Sequence, residues 1–192
     1  MNYFVILHEN NVNMTRLILA RHGQTYDNLN QIMQGQTQGE LTEEGRKQAR
    51  ELADALRAER IDAFVSSDLK RSIDTCRIII DELSGKSEVL ENSEHACYSE
   101  TPLLRERDWG GFTGKYIPSI QKEVWPDDIE TLEALKLRAA EFLDFVRTSF
   151  PEKTVLAVGH GIINKAIQAV YYKKTMPEIS RMENAEYRIL DL

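Results

Sequence analysis

The sequence predicts an α/β layer architecture built on a largely parallel sheet. Short β-branched and aliphatic runs alternate with longer amphipathic stretches, the pattern of strands joined by helical crossovers. Two of those runs, "RLILARHG" and "TVLAVGHG", leave the apolar register in the same way, through a histidine followed by glycine. No internal repeat, linker or low-complexity tract divides the 192 residues, which read as an extension (1–13) followed by one domain (14–192).

The first strand falls at Thr15–Ala20, "TRLILA", whose composition suits a buried position. The polar "NLNQIMQGQTQGE" beyond it can hardly bury itself and reads as loop. In "LTEEGRKQARELADALRAER", Ala49, Leu52, Ala53 and Leu56 share one helical face. Thr42 stands at the N-cap, and Glu43 and Glu44 suit the positive end of the helix dipole. "IDAFVSSD" reads as a second strand entering a turn. A helix starting near Ser67 or Asp68 then spaces Leu69, Ile73, Cys76 and Ile80 on one side, with Gly85 as its stop. Glu88–Pro102 is mixed and polar and takes no assignment. "DIETLEALKLRAAEFLDFVRTSF" predicts a helix with Leu132, Leu135, Ala139, Phe142 and Val146 facing the core. "KTVLAVGHG" is a strand ending at His160, "IINKAIQAVYY" a helix, and "AEYRILDL" the closing strand.

Composition narrows the possible partners. Hydrophobic content of 42% and charged content of 29% are those of a soluble globular protein. With 24 Lys plus Arg against 31 Asp plus Glu, the net charge of −7 repels nucleic acid and anionic membranes at long range. No apolar run spans a bilayer, and "YFVIL", with no Lys or Arg before Met14, reads poorly as a secretory signal. Cys76 and Cys97 lack CxxC spacing, which argues against a thiolate metal site or disulfide framework and suits a reducing cytoplasm. An anionic substrate would need a local basic pocket.

In parallel sheets, ligands bind beyond the carboxyl ends of the strands. Three predicted strands end in Arg21 and His22, in Ser66 and Ser67 with Arg71 just beyond, and in His160. Parallel strands bring these groups to one edge as an oxyanion site. Guanidinium forks match phosphate oxygens, and a neutral imidazole held against phosphorus is a competent nucleophile. Nearby cations disfavour imidazolium and keep His22 unprotonated at neutral pH. Arg71 has a second reading as an exposed helix residue paired with Asp68 or Asp74, although its place past a strand end favours phosphate. Arg105-Glu106-Arg107-Asp108 also reads as a solvated face. "WGGFTGK" is no P-loop, because Trp109 stands where the first glycine belongs and Tyr116 where Ser or Thr would hold magnesium. His8 and His95 belong to no motif and are assigned no role.

"LILARHGQTYDN", "GELTEEGRKQA", "SSDLKRSIDT", "LRERDWGGFTG" and "VGHG" resemble, in order and spacing, the histidine phosphatase superfamily, also called the phosphoglycerate mutase-like family. The resemblance extends from Thr15 to Leu192. It implies a three-layer α/β/α sandwich with a mostly parallel central sheet. It makes His22 the nucleophile that becomes phosphohistidine and Glu106 the general acid and base. Arg21, Arg71 and His160 would bind the transferring phosphate, with Asn28, Gln34, Gly35 and the Gly161 backbone as further ligand contacts. The family's core reaction uses no metal, and no cofactor is expected.

The chain departs from the family pattern at Thr113, where family phosphatases often carry an acidic residue. The stretch from Lys115 to Ile129 is also shorter than in metabolic mutases, and no Arg–Arg pair stands there to grip a substrate carboxylate. The expectation is therefore a cytoplasmic phosphatase, monomer or homodimer, acting on a small phosphorylated metabolite. Phosphoglycerate mutase is the first alternative, and a catalytically silent phospho-ligand sensor is the alternative of another class. Selectivity would come from Gln31–Gly39, residues 88–103 and Gly111–Glu130.

Overall fold

The computed structural model describes residues 14–85 and 97–192. In chain order the elements are β1 (Arg16–Arg21), α1 (Tyr26–Leu29), α2 (Glu43–Ala55), β2 (Ala63–Ser67), α3 (Lys70–Ser84), β3 (Cys97–Thr101), α4 (Ile117–Ile120), α5 (Leu132–Ser149), β4 (Thr154–Gly159), α6 (Gly161–Tyr171) and β5 (Tyr187–Asp191). The strands form one sheet in the order β3-β2-β4-β1-β5. The β1/β4, β2/β4 and β2/β3 pairs are parallel, and β5 joins the edge antiparallel to β1.

Side chains alternate across the pleat and so build a core on each face. Leu17, Leu19, Val65, Val155 and Ala157 face Leu135, Phe142 and Val146 of α5 and Ile163 and Ile167 of α6. Ile18, Ala20, Phe64, Leu156 and Val158 face Leu52 of α2 and Cys76 and Ile79 of α3. Both faces are covered, which is the three-layer α/β/α arrangement and explains why β1, β2 and β4 read as continuous apolar runs.

Several expectations shift in detail. Thr42 caps α2 as foreseen, accepting the Gly45 N–H. α3 begins at Lys70, because Ser67 is still the last residue of β2 and its hydroxyl accepts from Leu69 N. Cys76, Ile79 and Leu83 make its buried face, with Ile80 only partly covered. Leu132, expected in the core, is 41% exposed. It is the first residue of α5, and burial starts one turn later at Leu135. β3 occupies part of the stretch that took no assignment, and its mixed burial follows from its place at the sheet edge. The extension 1–13, with His8, and the segment around His95 lie outside the described residues. No described helix is long and apolar enough to cross a membrane.

Candidate active site

Parallel register assembles the site. Arg21 is paired with Gly159 across β1 and β4, so the residues that follow, His22 and His160, emerge side by side. The His22 amide donates to Gly159 O at 3.1 Å, and the two imidazole rings meet edge to face at 5.1 Å between centroids. His22, Arg21, Arg71 and His160 are only 3%, 4%, 1% and 0% exposed. Four ionisable side chains this deep are rare unless partners hold them.

The partners define each group's state. His22 Nδ1 lies 2.7 Å from the Gly23 carbonyl, which can only accept. The ring proton therefore resides on Nδ1, and Nε2 keeps its lone pair. Arg71 Nε donates to His160 Nδ1 at 3.1 Å, so the His160 proton sits on Nε2, facing Ser72 Oγ at 3.2 Å. Burial, then the charges of Arg71 and Arg21, hold His22 well below the usual histidine value, against a small opposing effect of the Gly23 carbonyl. His160 is held down in the same direction by burial first, then by Arg71, His22, Arg21 and Arg138. Both rings are neutral at physiological pH. Burial lowers the Arg71 guanidinium to about 10, which leaves it charged.

Arg71 settles its two sequence readings. Asp68 pairs with Arg105 and Asp74 with Lys70, while Arg71 turns inward. Its Nη2 donates to Gly35 O at 2.9 Å and its Nη1 to the Thr37 carbonyl. The guanidinium thus covers the loop that follows α1, and Gln34 and Gly35, expected to stay outside the core, are buried. Gly35 has φ +52°, and a Cβ there would meet Thr113 Oγ1 at 2.8 Å, so only glycine fits without strain.

The glycine of the "RHG" turn serves a close backbone contact. A Cβ on Gly23 would lie 2.3 Å from Gly45 O, and one on Gly45 would lie 2.0 Å from Gln24 O. The two glycines let the turn dock backbone-to-backbone on the first turn of α2.

Glu106 approaches from the opposite wall. Its carboxylate accepts from Arg107 N at 2.9 Å, Ile162 N at 3.1 Å and Ile163 N at 3.2 Å. His160, the N-cap of α6, makes no side-chain capping bond, so Glu106 caps that helix instead. Gly161 lies between the two walls: its ideal Cβ position is 3.6 Å from Arg21 Nε and 3.7 Å from Glu106 Oε2. Arg21 Nε is itself buried without a hydrogen-bond partner, as is Gln34 Oε1. Asn28 caps α1 reciprocally with Thr25, and its Oδ1 accepts from Asn184 Nδ2, which also donates to His22 O.

The structure therefore brings Arg21, His22, Arg71, His160, Glu106 and Gly161 around one space. Gly35 and Asn28 touch that group through Arg71 and Asn184, while Gln34 bonds to Thr25 and comes beside Arg71 at Gly39. Sequence reasoning missed Thr75, whose Oγ1 accepts the Gly23 N–H at 3.1 Å, together with Ser72 and Asn184. Thr75 stands four residues after Arg71 on the same helical face, a spacing that could have disclosed it. Asn184 carries no such signal.

Fold and charge placement define an α/β protein with a buried cluster of arginines and histidines at the carboxyl edge of its sheet. The chain belongs to the histidine phosphatase superfamily (branch 1), whose family model matches residues 17–192. It is 36% identical over 152 residues to "Uncharacterized phosphatase PhoE" of Bacillus subtilis (strain 168), covering 77% of this chain and 72% of that protein. It is 31% identical over 165 residues to "Probable phosphoglycerate mutase GpmB" of Enterobacter sp. (strain 638), covering 78% and 71% respectively. Among solved structures, mycobacterial glucosyl-3-phosphoglycerate phosphatase superposes with a TM-score of 0.77 at 26% identity, over 92% of this chain and 89% of that one.

Proposed function

We propose that the protein is a phosphatase that hydrolyses a small phosphomonoester through a phosphohistidine on His22. One observation carries this reading: the His22 ring is buried, neutral and oriented by the Gly23 carbonyl, with Nε2 left as a nucleophile beside two guanidinium groups. In the first step Nε2 forms a bond to phosphorus as the ester P–O bond breaks. Arg21 and Arg71 offset charge on the equatorial oxygens. The unpartnered Arg21 Nε–H supports this, because a phosphoryl oxygen supplies the acceptor it lacks. Glu106, as general acid, gives a proton to the leaving oxygen. It then takes one from the water that attacks phosphorus, releasing phosphate and restoring His22. His160, already bonded to Arg71, steadies that guanidinium and lines the phosphate pocket.

Hydrolysis is favoured over mutase chemistry by the rim. A mutase retains its bisphosphorylated intermediate in a closed, strongly basic pocket. Here Asp108, Asp127, Asp128 and Glu130 line a cavity formed by the segment that follows Glu106, and none of its lining residues is basic. Lys115 is engaged with Glu123 at 3.0 Å. The two free cysteines suit a reducing, cytoplasmic setting.

The test is covalent trapping. Incubation with a labelled phosphomonoester followed by quenching should leave protein-bound phosphate that is acid-labile, base-stable and absent from His22→Ala. Turnover should need no added bisphosphoglycerate. Strict dependence on that compound would establish the mutase instead, and tight binding without labelling would establish a sensor.

A further inference from the structure

Glu106 sits in a loop, and a proton donor acts only when its position is held to a fraction of an ångström. The bonds that hold this loop converge on one ion pair that the chemistry above does not use. Arg138, in the second turn of α5, and Glu130, just before that helix, are joined by two bonds, Nε to Oε1 at 3.0 Å and Nη2 to Oε2 at 2.7 Å. Their side chains are only 16% and 14% exposed. Arg138 Nη1 donates to the carbonyls of Leu103, at 3.0 Å, and Arg105, at 2.6 Å. Glu130 holds the other side: its Oε2 accepts from Asp108 N at 3.1 Å, and its backbone carbonyl accepts from Arg107 Nε at 2.8 Å. Residues 103, 105, 107 and 108 are thus tied to the pair, and Glu106 lies between them. On the far side Arg105 Nε is anchored to Asp68 at 2.8 Å, at the end of β2.

We propose that Arg138 and Glu130 are positioning residues for the general acid, setting where the Glu106 carboxyl stands relative to the leaving oxygen without touching substrate. This rests on the assignment of Glu106 as proton donor. Arg21, His22, Arg71 and His160 are held by β1, β4, α3 and the loop after α1 and take no bond from either residue, and Arg138 reaches that group only through the effect of its charge on His160.

The consequence is a dependence on the leaving group. An alkyl alcohol needs protonation as it departs, whereas a nitrophenolate leaves well without it. Arg138→Met keeps the aliphatic stem and removes every loop bond. We expect kcat/KM, which reports the step that expels the leaving group and not the later hydrolysis of phosphohistidine, to fall about tenfold or more on glycerol phosphate and to stay within about threefold of the parent on nitrophenyl phosphate. Competitive inhibition by inorganic phosphate should be unchanged. Glu130→Gln, which preserves volume and one acceptor, should shift the same ratio in the same direction by less, and it decides alone if the first variant does not fold by circular dichroism. Glu106→Gln serves as comparator. Equal losses on both esters, or weakened phosphate inhibition, in a folded variant would overturn the inference while leaving Glu106 in place. A comparator with no preference between the esters would overturn the assignment of Glu106, and the inference with it.

Discussion

The phosphate end of the site and the rim that faces it are built in opposite ways. Arg21, His22, Arg71 and His160 grow directly from the ends of β1, β4 and α3, and none is more than 4% exposed. The rim, residues 109–131, has a small core of its own, Phe112, Ile120 and Ile129, with Met33 and Trp109 packed beside it. Around that core Tyr116, Val124 and Trp125 are exposed, Val124 by 93%. The rim is fastened to the body by a few main-chain bonds, including Gly114 N to Met33 O at 2.8 Å and Met33 N to Lys115 O at 2.9 Å, and at its end by the Glu130–Arg138 ion pair. The difference teaches that the proposed phosphoryl pocket is built from the same residues that fold the sheet ends. The part that would meet the leaving group can change with little effect on that sheet.

The sharpest way to break this contrast is at Arg71. Arg71→Ala removes the charge proposed to meet phosphate, the donor to His160 and the partners of the Gly35 and Thr37 carbonyls together. Turnover should drop on the order of 10³-fold, and the melting temperature should fall as well. Unchanged melting would show that the pocket and the fold are separable after all.

Acidification probes the same coupling more gently. Both imidazoles are held well below the usual value of 6.5 in the folded chain. Between their folded values and 6.5 the unfolded chain binds more protons, so stability is full above that pH and declines as the pH falls below it. The slope should reach about 1.4 kcal/mol per pH unit for each histidine. Denaturant titrations at a series of pH values measure it, and His160→Asn should reduce it. A flat profile between pH 6.5 and 5 would mean that these rings titrate normally.

The smallest effect is expected on the rim. Trp125 meets Trp109 edge to face at 5.8 Å between centroids, and the Arg107 guanidinium lies 5.5 Å from its ring. Trp125→Ala should cost about 1 kcal/mol or less in stability. It should alter the ranking of phosphomonoesters by kcat/KM and leave phosphate inhibition as it was. A loss of phosphate affinity in this variant would show that the two regions are coupled.

Much of the strand-end chemistry was legible because it is written in adjacent letters. Arg21 and His22 follow the last apolar residues of β1, and His160 follows Gly159, so parallel pairing alone juxtaposes them. Thr42 was readable as a cap because helix ends need local acceptors. The interior of "ARELADALRAER" showed its face by period, whereas Leu132 misled because amphipathic spacing does not say where a helix begins to be covered. β3 escaped for a related reason: an edge strand is covered on few sides, and its letters need not be apolar.

What the sequence by itself determined is the alternation of elements, the apolar strands of a sheet covered on both faces, and the charged residues waiting at their ends. Those follow from short-range steric and solvation rules. Tertiary structure alone decided whether Arg71 faces water or His160, and which helix the Glu106 carboxylate caps. It also decided that Gly23 serves a backbone contact with Gly45. Each depends on residues far apart in the chain, and a charged or small side chain takes its role from the neighbours that folding brings to it.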